Sequence, residues 1–177
     1  YVYKNGQKLL HIVNQLLDFR KAESGTLPIH IVSGPVESMA MNIFNLFIEN
    51  ARKRNINFHF RSDLKDELFP VDRMYLETIL MNLLSNAFKF TPDGGEISLS
   101  LWKKEAVYGF TIRDNGIGIP EEKLSRIFER FYQVDDSQKG SGIGLSLVKL
   151  LIDKHRGTIE VASEIGKSTE FRVILPA

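Results

Sequence analysis

Hydrophobic positions along the chain change period several times, and each change marks an element. Over residues 4–22, Leu9, Leu10, Ile12, Val13, Leu16, Leu17 and Phe19 recur at helical spacing. Leu9, Val13, Leu16 and, less well, Arg20 fit a heptad, over too few turns to define a coiled coil. So wide an apolar surface on one helix predicts a helical hairpin or a dimer interface, the plainer reading being packing on its own domain. Ser24-Gly25-Thr26 breaks the pattern and places a linker and domain boundary at 22–27.

Beyond the break, helical and alternating stretches take turns. Residues 28–34 read as a strand, and Pro35 suits the first position of a helix. That helix carries Val36, Met39, Ala40, Ile43, Phe44, Phe47 and Ala51 on one stripe, which reads as core. Residues 56–60 alternate as a strand does. A helix from near Arg73 runs to Pro92, and Asp93-Gly94-Gly95 is a turn. Strands follow at 96–104 and 107–113, a short helix near Pro120, and a longer helix at 143–155. Arg156 and Gly157 end that helix as a basic last turn and a left-handed cap would. Strands at 158–163 and 169–175 complete the order. It predicts an α+β fold, a two-layer α/β sandwich with a mixed β-sheet and helices on one face, preceded by the N-terminal amphipathic helix.

Composition narrows the partners more than the fold. The chain has 177 residues, 43% hydrophobic and 25% charged, enough for one domain with a core plus an extra element. Lys and Arg total 23 against 22 Asp and Glu, so no global field recruits nucleic acid or an anionic membrane. A phosphate site must therefore be built locally. Without cysteine there is no disulfide and no thiolate metal site. No apolar run approaches the roughly 18 residues that span a bilayer, and no signal peptide is visible. The opening YVYKNG lacks an initiator Met, so we expect a fragment of a longer protein, which could include a membrane segment.

Four stretches carry candidate chemistry. In the helix through Leu80–Pro92, Asn82, Asn86 and Lys89 recur at i, i+4 and i+7, within roughly 60° on one face. Leu76, Ile79, Leu80, Leu83, Leu84 and Ala87 supply the neighbouring core face. The polar line is either a seat for a hydrated cation and a phosphate or the solvated edge of an amphipathic helix. Asp114-Asn115-Gly116-Ile117-Gly118-Ile119-Pro120 follows a β-rich run. A carboxylate at a strand end can accept from the adenine N6 amino group, whereas guanine presents an acceptor there. Gly116 and Gly118 would let backbone approach a flat ring, though a capped glycine turn has the same composition. Gly140-Ser141-Gly142-Ile143-Gly144-Leu145 opens a helix, where free N–H groups make an anion site. It is not a dinucleotide fingerprint, because Leu147 stands where the third glycine belongs. Nor is Gly166-Lys167-Ser168 a P-loop, because Val161 occupies the upstream glycine position; it reads as a strand-to-strand turn. Ile127 to Tyr132, with two Phe residues, and the polar run to Lys139 would make a lid over a ligand.

NLLSNAFKFTP, DNGIGIP, IFERFYQ and GSGIGLSLVK, in this order and spacing, resemble the N box, first glycine box, F box and second glycine box of sensor histidine kinase catalytic domains. The similarity covers about residues 27–176, and residues 4–22 look like the second helix of the dimerisation and histidine-phosphotransfer hairpin. The resemblance divides the chain into 1–26, hairpin helix plus linker, and 27–177, catalytic domain. It implies the Bergerat ATP-binding fold shared with gyrase, MutL and the heat-shock chaperone ATPases. It also implies ATP and Mg²⁺ as cofactors and, in the intact protein, a homodimer built on the phosphotransfer domain and a response-regulator receiver as partners. A cytoplasmic domain of a membrane-anchored bacterial sensor is expected, without nucleic acid or direct membrane contact.

Residue by residue, the resemblance gives Asn86 the Mg²⁺, Asn82 a place one turn earlier, and Lys89 the phosphates. Asp114 matches the adenine-reading carboxylate, with Gly116, Gly118 and Ile119 shaping the base pocket. Arg130 matches the F-box arginine that can reach the γ-phosphate. Gly140, Gly142, Gly144 and Leu145 match the lid hinge and phosphate contacts. A hard cation that keeps its waters suits one carboxamide oxygen plus phosphates. Related ATPases place a Glu one turn before the N-box Asn; this chain has Asn82 there, and a carboxamide is no general base. Transfer to a nucleophile other than water is favoured. The family's acceptor His precedes an acidic residue, with a Pro shortly after. None of His11, His30, His59 or His155 has that context, so all four are read as structural and the acceptor as absent. The alternatives are an ATP-gated conformational ATPase of the same fold and a non-catalytic signalling scaffold.

Overall fold

A computed structural model describes residues 28–65, 67–134 and 141–177. The expected hairpin helix, its linker, His11, Gly140 and the polar run to Lys139 lie outside the described residues. The elements are β1 (Val32–Gly34), α1 (Val36–Lys53), β2 (Asn57–Ser62), β3 (Phe69–Val71), α2 (Arg73–Phe90), β4 (Glu96–Lys104), β5 (Val107–Asp114), α3 (Glu121–Leu124), α4 (Gly144–Lys154), β6 (Thr158–Glu164) and β7 (Ser168–Pro176). The five long strands form one mixed sheet in the order β2-β4-β5-β7-β6, parallel only between β2 and β4.

Strand alternation sorts the sheet into two faces. Leu99, Ile112 and Phe171 stand opposite one another across β4, β5 and β7, as do Leu101, Phe110 and Val173, and all six are buried. Against this face pack the buried stripes of α1, α2 and α4, including Phe44 and Phe47, Leu80 and Leu84, and Leu147 and Leu151. Burying such side chains stabilises by about 1.5–3 kcal/mol each. The opposite face carries His59, Arg61, Ser98, Ser100, Thr111 and Arg113. The predicted two-layer sandwich is the observed one.

Local chemistry sets the helix ends. Asp72 caps α2, its Oδ1 accepting from the Tyr75 N–H at 3.1 Å. Glu37 in the first turn of α1 and Arg52 and Lys53 in its last complement the helix dipole. Pro35 is the cap of α1 rather than its first residue, and its carbonyl accepts from the Met39 N–H at 3.1 Å. At the end of α4 the left-handed residue is Arg156, with φ +58, not Gly157. Gly157 is needed for space, since a Cβ there would lie 2.5 Å from the Ile174 carbonyl oxygen. The strand expected over 28–34 shrinks to Val32–Gly34 because its one partner among the described residues is the three-residue β3, with Pro70 at its centre.

Candidate functional site

The last inward position of β5 is filled by Asp114, where alternation would otherwise place an apolar residue. It stands opposite Ile97 on β4 and Thr169 on β7, at 5% exposure. Its Oδ1 accepts from the Gly116 N–H at 2.9 Å. Burial pushes its carboxyl up to about 6, and the Gly116 hydrogen bond offsets only part of that. A half-committed carboxylate on a rigid strand end can read an exocyclic amino group. After it the chain folds back: the Ile117 N–H donates to Phe90 O at 3.2 Å, and the Ile119 N–H to Ser163 Oγ at 2.8 Å. A Cβ at Gly116 would lie 2.5 Å from Phe90 O, and one at Gly118 (φ +71) 2.3 Å from Glu164 O. Both glycines therefore seat the loop against protein backbone. Ile119 is half-buried against the core.

The second wall is α2. Asn82 and Asn86 are half-buried on its polar line, and Lys89 is more exposed. Asn82 spends its Nδ2 on the Thr78 carbonyl at 2.8 Å, inside its own helix. The Asn86 side chain makes no hydrogen bond among the described residues, so its carboxamide oxygen is available. The Lys89 ammonium lies 4.6 Å from the Phe90 ring centroid, and burial pulls its pKa down. The N-terminus of α4 packs on α2 beside Asn82: a Cβ on Gly144 would stand 2.8 Å from Asn82 Oδ1. Leu145 follows, half-buried. α2 thus joins the two other parts: the loop after Asp114 meets it at Phe90, and the start of α4 meets it at Asn82.

Between α3 and α4 runs the segment expected to close over a ligand. Ile127 is buried, and Phe128 meets Phe171 edge-on at 6.5 Å. Phe131, expected as the second aromatic anchor, is 66% exposed. It is held by backbone instead: with φ +60, its N–H donates to Gly142 O at 2.9 Å. Gly142 has φ +67, and a Cβ there would lie 2.6 Å from Phe131 Cα. The anchors are Ile127, Phe128 and this clasp. Arg130 is exposed on the same segment.

Sequence reasoning missed two supports. Thr169 is buried beside Asp114, and its Oγ1 lies 2.9 Å from Ser163 Oγ, which holds Ile119. The signal was a hydroxyl at the inward parity of Phe171, Val173 and Leu175. Arg54 braces the end of α2, its guanidinium donating to Phe88 O and, at 2.6 Å each, to Thr91 O and Asp93 Oδ1. Nothing local to Arg54 announced a contact more than thirty residues away.

A family profile described as "Histidine kinase-, DNA gyrase B-, and HSP90-like ATPase" matches residues 71–177, more than half of the chain and all of the site's walls. The chain belongs to this family. Among relatives of this histidine kinase-like ATPase, Histidine kinase P4 of Formosa agariphila is 35% identical over 99% of the chain and 13% of its own length. The circadian input-output histidine kinase CikA of Thermosynechococcus vestitus is 35% identical over 99% and 25%. Full-length ShkA, solved in complex with AMPPNP, superposes with a TM-score of 0.87 at 28% identity, covering 98% of this chain and 36% of that one. ThkA in complex with the response regulator TrrA gives 0.80 at 25%, covering 99% and 49%. The chain spans a quarter or less of these curated relatives' lengths. It carries the ATP-binding catalytic domain of the sensor histidine kinase type.

The residues present fit a magnesium nucleotide. Asn86 offers one neutral oxygen without a competing partner among the described residues, where a carboxylate cage would leave no place for phosphates. Among the described residues no three His, Asp or Glu side chains gather to hold a metal.

Proposed function

We propose that the chain binds ATP with Mg²⁺ and, in the intact protein, transfers the γ-phosphoryl group to a histidine of the dimerisation and phosphotransfer domain. That histidine then passes it to a response-regulator aspartate. The supporting observation is the carboxylate of Asp114, buried at a strand end beside Thr169 and followed by a loop that packs on the end of α2, whose Asn86 carboxamide has no partner among the described residues.

Asp114 accepts a hydrogen bond from the adenine amino group, with Ile119 against the ring and Gly116 and Gly118 fixing the loop beneath it. Asn86 would hold the Mg²⁺, which when bound neutralises phosphate charge. Lys89 supplies a cation to the phosphates, Gly142, Gly144 and Leu145 border them at the start of α4, and Arg130 reaches in from the lid. Phosphoryl transfer asks the protein for positioning and charge neutralisation. Asn82, tied to the Thr78 carbonyl, offers no base to a water. Residues 1–26 are the second hairpin helix and linker, 27–177 the catalytic domain, placed in the cytoplasm beneath a membrane anchor and assembled as a homodimer through the hairpin. No described helix is long and apolar enough to cross a membrane.

The test supplies radiolabelled ATP and a separate hairpin carrying an acceptor histidine. Label on the hairpin, lost with Asp114→Ala and Asn86→Ala, is expected. Multiple-turnover phosphate release without labelling would instead identify an ATPase, and failure to bind ATP a scaffold.

A further inference from the structure

The sheet face turned away from the helices holds a concavity of about 330 Å³, whose lining reaches Asp114 and Asn115 at one end but is otherwise made of residues with no part in the nucleotide site. Ser98 and Ser100 on β4 form its floor, and the walls are His59 and Arg61 on β2 and Arg113 on β5, with Lys167 at one end. The register places His59, Ser98 and Arg113 in one row and Arg61, Ser100 and Thr111 in the next. Strand spacing sets the walls two strands apart, about 10 Å, with rows about 7 Å apart along the strands. This is the width and repeat of one extended polypeptide.

The charge is one-sided. Among the described residues neither Arg61 nor Arg113 has a carboxylate partner. Glu170, opposite Arg113 on β7, turns to Arg172 at 3.8 Å. Lys167 pairs only with the exposed Glu164 beside it. Among the described residues Glu96 is the one carboxylate exposed in the trough, since Asp114 stands at a buried, inward position of β5. With a net charge of only +1 over the whole chain, this clustering is local. Two unpaired guanidinium forks over a hydroxyl floor suit carboxylates, which each fork can take in bidentate fashion.

We propose that this trough docks an extended acidic segment of a partner polypeptide, with carboxylates on alternate residues meeting Arg61 and Arg113. The polar lining and open shape distinguish it from the enclosed apolar pocket of a small organic ligand. Binding is salt-sensitive, because exposed pairs are screened within about a Debye length.

The 177-residue chain, with and without AMPPNP, is titrated with a synthetic peptide alternating Glu and Ser. Trp102, the only tryptophan, lies next after Ser100 on this face of β4 and reports fluorescence, while amide shifts locate the peptide. Expected are saturable shifts centred on β2, β4 and β5 with either nucleotide state. Affinity should fall at least tenfold in the Arg61→Gln/Arg113→Gln double variant, whose retained ATP binding shows that it is folded. No saturable binding, equal binding by the double variant, or equal binding of a Lys-Ser peptide overturns the proposal. Citrate or inorganic phosphate binding the same residues as tightly as the peptide also overturns it, by making this a small-anion site.

Discussion

Gly144 and Asn82 meet edge to edge where α4 begins: a Cβ on Gly144 would lie 2.8 Å from the Asn82 Oδ1. The clashing atom is the end of a flexible side chain, so the fold can accommodate a methyl group by moving the carboxamide. Gly144→Ala should therefore leave stability unchanged or raise it by up to about 1 kcal/mol, the helix-propensity difference. Asn82 would be displaced toward the phosphates, and nucleotide affinity should fall about tenfold, about 1.4 kcal/mol. Calorimetric titration with AMPPNP alongside thermal unfolding separates the two effects. A parallel loss of stability would show that Gly144 is only a packing residue.

The Asp114 carboxyl, pushed up to about 6 from an ordinary 3.8, makes both stability and binding depend on pH. Its folded pKa exceeds the unfolded one, so the folded state holds the extra proton. Stability from this group is complete below about pH 4 and is lost as pH rises through about 6. The loss is no more than about 3 kcal/mol, reduced by water at the pocket mouth. Asp114→Asn should therefore unfold at higher urea than the parent at neutral pH, while losing ATP. An adenine amino group favours the ionised form. Nucleotide affinity should accordingly climb as pH rises from about 5 to about 7 and then level off, with proton release on binding near pH 6. Titrations in buffers of different ionisation enthalpy measure that proton.

How much of this was legible follows from which signals are local. The strands at 96–104 and 107–114 and the helix through Leu80–Pro92 have long, clean periods, and their structural bounds lie within a residue or two of the expected ones. The shared face of Asn82, Asn86 and Lys89 on α2 and the strand-end position of Asp114 were legible as placements because the motifs are contiguous. β3 was not, because three residues centred on Pro70 carry no period and are ordered by pairing with β1, by core burial of Phe69 and Val71, and by the Tyr108 hydroxyl, which donates to Pro70 O at 2.7 Å. Phe131 misled because apolar composition suggests burial, whereas its place is set by backbone geometry with Gly142. Arg54 and Thr169 act across tens of residues, and only the fold pairs them with the site.

His155 shows the same non-local logic in the core. Its ring is 3% exposed; Nε2 accepts from the Asp72 N–H at 3.1 Å, and Nδ1 donates to Leu151 O at 2.9 Å. Asp72 in turn caps α2 through Tyr75 and accepts from the His30 N–H at 2.8 Å. One imidazole thus joins the end of α4 to the start of α2. His155→Phe keeps the volume but orphans a buried N–H, and should cost about 1–3 kcal/mol by urea unfolding. Phosphotransfer per folded molecule should be unchanged, because the ring lies at the end of α4 away from Gly144.

Gly118 and Gly94 separate conformational strain from crowding. Both have positive φ, +71 and +79. A Cβ at Gly94 meets nothing within 4 Å, so Gly94→Ala should cost only the left-handed penalty, about 1–2 kcal/mol, without altering nucleotide affinity. At Gly118 the same atom would lie 2.3 Å from the Glu164 carbonyl oxygen and 2.8 Å from the Ile165 Cα, which are backbone and cannot swing aside. The loop from Asp114 to Pro120 would have to lift off the β6–β7 turn, breaking the Gly166 N–H to Ile117 O bond of 2.8 Å. Gly118→Ala should therefore lose the left-handed penalty plus at least about 1 kcal/mol for the broken bond, and weaken AMPPNP binding tenfold or more. Equal losses of stability and equal affinities in the two variants would mean that the Gly118 contact does not hold the base-reading loop in place.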